Sequence, residues 1–209
     1  RCGRHGSDIR RAWSARVKME TADRAIKKWT PGSTSAVEVT AVLTPRIAPD
    51  GRTLVFMAAG NLWEQPVGGG QARKLIDETA YQLEPAFSPD GKQLAFISDK
   101  QGKRELRVFD FASRQTRTLA TTGGASWPLF PSWSSDGKSI VFQRSDAIGA
   151  PYRFIRVDAQ SGDAAQLAQS GGDWTGRPQL SADGGSLYYT GRAGSIATSI
   201  SLLTMYRNS

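Results

Sequence analysis

The sequence predicts an all-β protein, a partial or open β-propeller with about four blades, each a four-stranded antiparallel sheet. One phrase recurs four times: a Pro, an apolar residue two places on, an Asp-Gly pair three places after that, and an aromatic residue six places past the Asp. The Asp residues of successive copies lie 40, 46 and 47 residues apart. A period in this range with strand-like units is typical of propellers and solenoids.

Each copy centres on an Asp-Gly turn. Asp bonds locally to the backbone, Gly accepts a positive φ, and in the first two copies a preceding Pro presets φ for the turn. A role repeated in every blade serves the repeat, so we interpret these residues as structural. They are Asp50, Gly51, Asp90, Gly91, Asp136, Gly137, Asp183 and Gly184.

Two strands are expected to flank each turn. An apolar residue at the same place before each turn is predicted to point into the core: Ile47, Phe87, Trp133 and Leu180. After the turn, short apolar runs suit a strand covered on both faces; their aromatic residues are Phe56, Phe96, Phe142 and Tyr189. In the three complete copies a second hairpin follows, for example Leu62 to Val67 before the Gly68 to Gly70 turn and Gln71 to Leu75 after it. Each unit therefore reads as four strands.

The predicted organisation is a basic leader followed by propeller repeats. The leader spans 1–35, and its weak helical spacing of Ile9, Trp13 and Val17 leaves two alternatives, a helix or a disordered stretch. The repeats span 36–209, with blades at approximately 36–79, 80–124, 125–171 and 172–209.

These repeats resemble the TolB-like β-propeller family, whose members work in the Tol-Pal system of the periplasm or precede the catalytic domains of exported amidohydrolases and peptidases. The resemblance covers roughly residues 40 to 209. The stretch from Gly60 to Trp63 is similar to the opening repeat of propellers that precede an amidohydrolase domain, or of tricorn-type protease propellers, although Asn61 stands where the family has Asp. The family has six or more blades, so we expect this chain, which begins with Arg1, to be a fragment. The resemblance implies a periplasmic or exported location.

Charge distribution argues against a nucleic-acid partner. The formal net charge is +8, but residues 1–30 carry +6 of it and the other 179 residues only +2. A basic groove with interleaved aromatics, the footprint of a nucleic-acid binder, is not evident. Nor does any run approach the roughly 18 apolar residues of a transmembrane helix, so we expect no membrane span.

Reactive residues are scarce in this chain. His5 is the only histidine and Cys2 the only cysteine, both in the leader. A Ser-His-Asp arrangement in the propeller would need a histidine there. A zinc site would need paired His or Cys ligands there. We therefore expect no catalytic residue, no cofactor and no metal site, and no enzyme activity from the chain itself.

The connection into each blade offers candidate binding residues. An aromatic stands four residues before the Pro in three copies, and the residue directly before the Pro varies in chemistry. Exposed Trp and Tyr are favoured interface anchors, so these positions form a candidate partner-binding rim. The alternative, favoured by the repetition itself, is that the aromatic rings wedge between blades as packing. The six residues are Tyr81, Glu84, Trp127, Phe130, Trp174 and Arg177.

Two functional hypotheses follow. The first is a non-catalytic TolB-like module that binds a protein or peptide in the bacterial cell envelope. The second is an N-terminal, substrate-gating propeller of an exported amidohydrolase or peptidase, whose hydrolase domain acts in cis and lies outside these residues. One architecture hosts many functions, so fold alone does not choose between them.

Overall fold

The computed structural model describes residues 41–122, 129–147, 150–169 and 176–189. Within these residues it contains fourteen strands, all paired antiparallel to their neighbours. The leader, 1–35, and its two alternatives lie outside the described residues, as does most of the outer half of the fourth predicted blade.

The strands form three four-stranded sheets and one hairpin, each in simple sequential order. Sheet 1 contains β1 Leu43–Ile47, β2 Thr53–Ala58, β3 Asn61–Pro66 and β4 Arg73–Lys74. Sheet 2 contains β5 Tyr81–Phe87, β6 Gln93–Lys100, β7 Lys103–Asp110 and β8 Thr116–Thr122. Sheet 3 contains β9 Leu129–Trp133, β10 Ser139–Arg144, β11 Arg153–Asp158 and β12 Ala164–Gln169. The hairpin pairs β13 Gln179–Leu180 with β14 Leu187–Tyr188. The predicted meander of each complete blade is confirmed, and β4 is shorter than the Gln71 to Leu75 stretch expected.

The Asp-Gly turns adopt one conformation in all four copies. Their glycines have φ between 69° and 72°, where a side chain would be strained, and each donates its N–H to the carbonyl three residues earlier. In addition, one carboxylate oxygen of each Asp accepts the N–H two residues on, as in Asp136 with Lys138 at 3.0 Å. All four turns therefore share the same backbone hydrogen bond and the same carboxylate contact.

The hydrophobic core lies between successive sheets. One cluster joins sheets 1 and 2, a second joins sheets 2 and 3, and a third joins sheet 3 to the hairpin. Phe96 and Phe142, from the second strands of their sheets, are fully buried in the first and second of these clusters. Tyr189 packs against Phe154 with ring centroids 4.3 Å apart in the third. The four units therefore stand side by side, as blades do.

The prediction that Ile47 points into the core is wrong, since 60% of this residue is exposed. Its counterparts Phe87, Trp133 and Leu180 are half-buried, and each packs against the cluster shared with the preceding sheet. The side chain at this repeat position thus points towards the preceding sheet. Within the described residues no sheet precedes sheet 1, so Ile47 lacks the preceding sheet against which its counterparts pack.

Candidate ligand-binding site at the inner strands

The first strands of successive blades lie next to one another. β5 contacts β1 on one side and β9 on the other, and β13 contacts β9. Residues on these first strands therefore converge from different blades, although 40 or more positions separate them in the sequence. The residues directly before the repeated prolines lie at this convergence.

In three blades the residue before the proline has a left-handed backbone. The φ angles are 46° at Thr44, 52° at Glu84 and 54° at Phe130. In each case the pairing with the second strand shifts register at this point, which marks a β-bulge. Bulges redirect the side chain that they carry and are common beside active sites.

Side chains occupy these three positions at an energetic cost. A left-handed conformation costs an L-residue roughly 1–2 kcal/mol, and the same chain places glycine at every one of its Asp-Gly turns with φ near 70°. Glycine at the bulge would remove the strain, yet Thr, Glu and Phe stand there instead. Strain of this kind concentrates at functional sites.

Arg177 joins the bulge residues of two other blades. Its Nη2 donates to Glu84 Oε2 at 3.0 Å, and its Nη1 donates to the carbonyl of Pro131. The guanidinium also lies over the Phe130 ring, 5.7 Å from the centroid. Glu84 and Arg177 keep only 18% and 21% of their side chains exposed. With Arg46, these residues form what we call the inner-strand cluster: Arg46, Glu84, Phe130 and Arg177.

Burial and charge act against each other in this cluster. Burial raises the pKa of the Glu84 carboxyl above its usual 4.5, and the positive charges of Arg177 and Arg46 oppose this effect only in part. Burial lowers the pKa of the Arg177 guanidinium to about 10, and repulsion by Arg46 acts in the same direction. Two guanidinium groups and one carboxylate therefore share a partly desolvated space, with one positive charge in excess.

A groove of about 320 Å³ borders the cluster. Apolar side chains of the first strands, Ile47, Phe87 and Trp133, lie along it. Within the described residues, the charged side chains that line the groove are both arginines, Arg46 and Arg177. The groove therefore combines an apolar wall with a cationic end.

The structure brings together three of the six residues predicted for the partner-binding rim: Glu84, Phe130 and Arg177. Tyr81 instead packs its ring against Gly60 in the β2–β3 turn of sheet 1 while 37% of the residue stays exposed. This contact fits the packing alternative. The other two predicted residues, Trp127 and Trp174, lie outside the described residues.

Arg46 is a site residue that the sequence analysis missed. It follows Pro45, whereas the same place holds Ala86, Ser132 and Gln179 in the other copies. A charged residue at an otherwise uncharged repeat position was the available signal. Its proximity to Arg177 depends on how the blades converge, which the repeat pattern does not specify.

The side chains of the cluster can contact both charged and apolar groups of a ligand. Across the described ranges, no group of three or more His, Cys, Asp or Glu side chains is placed to hold a metal ion. The described ranges also contain no helix long and apolar enough to cross a bilayer.

Comparison with known proteins places the repeats among other propellers. A family model described as the tricorn protease N-terminal beta propeller domain matches residues 40–198. A peptidase of Bacillus subtilis named YuxL, uncharacterized, is 30% identical over 122 residues, which are 51% of this chain and 18% of that protein. The Tol-Pal system protein TolB of Anaeromyxobacter dehalogenans strain 2CP-C is 31% identical over 87 residues, 40% of this chain and 19% of that protein.

Structural comparison gives the same architecture. The crystal structure of TolB from Acinetobacter baumannii superposes with a TM-score of 0.61 at 21% identity, over 80% of this chain and 43% of that one. At this identity the likeness shows the fold. The matches span less than a fifth of the two curated relatives and less than half of the solved structure.

Proposed function

The chain belongs to the tricorn protease N-terminal β-propeller domain family, and from this membership and the inner-strand cluster we propose that it is a non-catalytic module that binds a protein or peptide segment. The binding surface is the groove beside the cluster. The candidate rim residues Trp127 and Trp174 belong to the proposed surface on sequence grounds alone.

One observation carries this proposal: the left-handed bulge residues Thr44, Glu84 and Phe130. The bulge is the same in three blades, but the side chain on it differs in size, polarity and charge. Each bulge therefore presents a different side chain where the first strands converge. Strained positions with varied chemistry at a convergence of strands are suited to recognition.

The proposed setting is the bacterial cell envelope, in the periplasm or among exported proteins. It is supported by the matches to Tol-Pal system proteins in sequence and to TolB in structure. In that setting the partner is a protein or peptide segment that binds the groove beside the inner-strand cluster.

The second candidate is a substrate-gating propeller of a hydrolase. The family description and the match to a peptidase favour it. In that case the same groove would receive a substrate segment on its way to a catalytic domain in cis. The two candidates predict different flanking sequence in the parent protein. The binding module predicts further Asp-Gly repeats, and the gating propeller predicts a catalytic domain with His-x-His metal ligands.

A peptide array tests the binding function directly. The labelled 209-residue chain is applied to acetylated, C-terminally amidated peptides that present every ordered pair of residue types in a Gly-Ser context. We expect a subset to bind, and we expect Phe130→Ala to lose them because it removes a bulge side chain from the cluster. Tyr152→Ala, which removes a half-buried ring directly before β11 of the same blade, is the matched control and should bind as the parent does.

Two results would refute the proposal. One is the absence of binding to every peptide of the array by a chain whose β-sheet circular dichroism is intact. The other is binding that Phe130→Ala and Tyr152→Ala change equally.

A further inference from the structure

The groove beside the inner-strand cluster has two chemically distinct parts. Ile47, Phe87 and Trp133 form what we call the apolar wall, and Arg46 and Arg177 form the arginine pair. Trp133 is fixed in place because its Nε1 donates to the carbonyl of Ala86 at 2.9 Å. An apolar wall held in this way can receive a side chain without first being ordered.

The two arginines differ in how far their donors are used. Arg177 bonds to Glu84 and to the Pro131 carbonyl, so both of its terminal nitrogens are engaged. Arg46 donates from Nη1 to the carbonyl of its own neighbour, Pro45, at 3.0 Å, and within the described residues it makes no ion pair. A guanidinium presents five donors in a planar fork that suits a carboxylate. Arg46 therefore has donors left for an anion.

The charge of the cluster points to the same kind of ligand. Glu84 neutralises one of the two guanidinium charges from beside the groove, and within the described residues no carboxylate lines the groove itself. A negative group beside Arg46 would neutralise the remaining positive charge. Water is partly excluded from this space, which strengthens each electrostatic interaction.

We propose that the groove binds a peptide in which a carboxylate stands next to an apolar side chain, with the carboxylate on the arginine pair and the apolar group on the apolar wall. The inference rests on the proposed function and adds the chemistry of the partner. The carboxylate can come from an acidic side chain or from a chain end. Hydrogen bonds to charged groups are among the strongest that proteins make, so the acid supplies specificity and the apolar neighbour supplies buried area.

The test uses matched synthetic peptides in calorimetric titrations of the full chain. The probe is acetyl-Gly-Ser-Phe-Asp-Gly-Ser-amide, and its neutral partner carries Asn in place of Asp. A third peptide, acetyl-Gly-Ser-Gly-Ser-Phe with a free carboxyl end, distinguishes a terminal carboxylate from a side-chain carboxylate. We expect one or both acidic peptides to bind about tenfold more tightly than the neutral one, as one charged hydrogen-bonding group warrants.

A charge-matched pair of variants locates the effect. Arg46→Gln should remove the preference for the acidic peptides. Arg52→Gln, which replaces an exposed arginine of the β1–β2 turn that does not line the groove, should keep it. Arg46 is chosen over Arg177 because, among the residues that the structure describes, its hydrogen bond is to its own neighbour Pro45, whereas Arg177 bonds to two other blades. Equal loss in both variants would mean general charge attraction and would overturn the inference.

The outcomes separate this inference from the broader function. If the neutral and acidic peptides bind equally and Phe130→Ala abolishes both, the module binds peptides and the carboxylate inference is wrong. If neither these probes nor any array peptide binds, both are wrong.

Discussion

Arg177 Nη2 lies 3.0 Å from Glu84 Oε2, although 93 positions separate these residues in the sequence. One belongs to the approach to the hairpin and the other to the first strand of sheet 2. Their contact spans sheet 3, whose Phe130 ring lies under the same guanidinium. A single side chain thus ties three blades together at the inner strands.

Removing Arg177 should cost more than removing its partner. Burial raises the pKa of Glu84 above 4.5 although the positive charges of both arginines lower it. Arg177→Gln therefore leaves a partly buried carboxylate with one neighbouring positive charge fewer. We expect a loss of about 2 kcal/mol, below the ~3–5 kcal/mol of a fully buried pair. Glu84→Gln should cost less than about 1 kcal/mol and should rescue most of the loss in Arg177→Gln. Urea denaturation at pH 7 measures all three variants.

The pH dependence of Arg177→Gln follows from the same pKa. A folded-state pKa above 4.5 means that the folded chain binds the Glu84 proton more readily than the unfolded chain, so this group's contribution to stability rises as the pH falls towards 4.5. Arg177→Gln removes the larger of the two positive charges that lower this pKa, so the pKa of Glu84 rises further in the variant than in the parent chain. The variant then gains more stability in acid, and its deficit should shrink between pH 7 and pH 4.5. Arg153→Gln breaks the more exposed pair with Asp146 and should cost under about 1 kcal/mol at either pH. A deficit that is independent of pH would contradict this account.

The strain at the inner bulge can be measured at Thr44. Its φ is 46°, and its hydroxyl oxygen is buried without a hydrogen-bond partner in the described structure. Thr44→Gly should stabilise the chain by about 1 kcal/mol because it removes both costs, less the added freedom of the unfolded chain. Gly51→Ala should have the opposite effect, a loss of about 1–2 kcal/mol, because φ is 72° there. Nothing lies within 4 Å of the new methyl group, so the whole loss comes from the backbone conformation. Thermal unfolding measures both, and destabilisation by Thr44→Gly would refute the strain.

Tyr81 and Gly60 provide a test of packing between sheets 1 and 2. A methyl group on Gly60 would overlap the Tyr81 ring, and φ at Gly60 is 77°. Gly60→Ala should therefore destabilise the chain more than Gly51→Ala, where only the backbone term applies. Adding Tyr81→Ala should recover the difference between the two. Equal effects of Gly60→Ala and Gly51→Ala in urea denaturation would show that the ring does not press on this turn.

The Asp-Gly turns differ at one position that allows a reciprocal pair of substitutions. Ser134 is buried, and its hydroxyl donates to Asp136 Oδ1 at 2.6 Å and accepts the N–H of Ser139 at 3.0 Å. The first copy has Ala48 instead. Ser134→Ala should cost about 1–2 kcal/mol because it leaves a partly buried N–H without its acceptor, and Ala48→Ser should add up to about 1 kcal/mol.

The Ser134 contribution should also shrink in acid, but over a lower pH range than that of Arg177. The hydrogen bond from Ser134 is the largest cause of the lowered pKa of Asp136, below its usual 3.8. This stabilisation is complete well above pH 3.8 and is lost as the pH falls through the lower, folded-state pKa. The gap between the parent chain and Ser134→Ala in urea midpoint should therefore narrow below pH 3.8. A gap that widens in acid would contradict the turn geometry.

The turns could be predicted from the sequence because their chemistry is local. Asp136 and Gly137 make their bonds within a few residues, so the repeat alone specifies the bend. Burial at Ile47 could not be predicted in this way, because it depends on a neighbouring sheet. The repeat pattern treats Ile47 and Phe87 as equivalent, but within the described residues only Phe87 has a preceding sheet to pack against.

The candidate site was predicted in part for the same reason. The varied residues before the prolines were visible in the sequence, and Glu84, Phe130 and Arg177 do meet. A proline disfavours the right-handed helical conformation in the residue before it, but it does not specify the left-handed bulge found at Glu84 and Phe130. Arg46 entered the site only through the convergence of strands from different blades.

The measurement that tests the central claim most directly is an NMR titration of the arginine side-chain Nε–H signals with the Phe-Asp peptide. The account predicts that the signals of Arg46 and Arg177 shift together and saturate at the same peptide concentration, while those of Arg52 and Arg153 stay unchanged. Saturable shifts at Arg52 or Arg153 with unchanged signals at Arg46 and Arg177 would place binding away from the inner strands and contradict it.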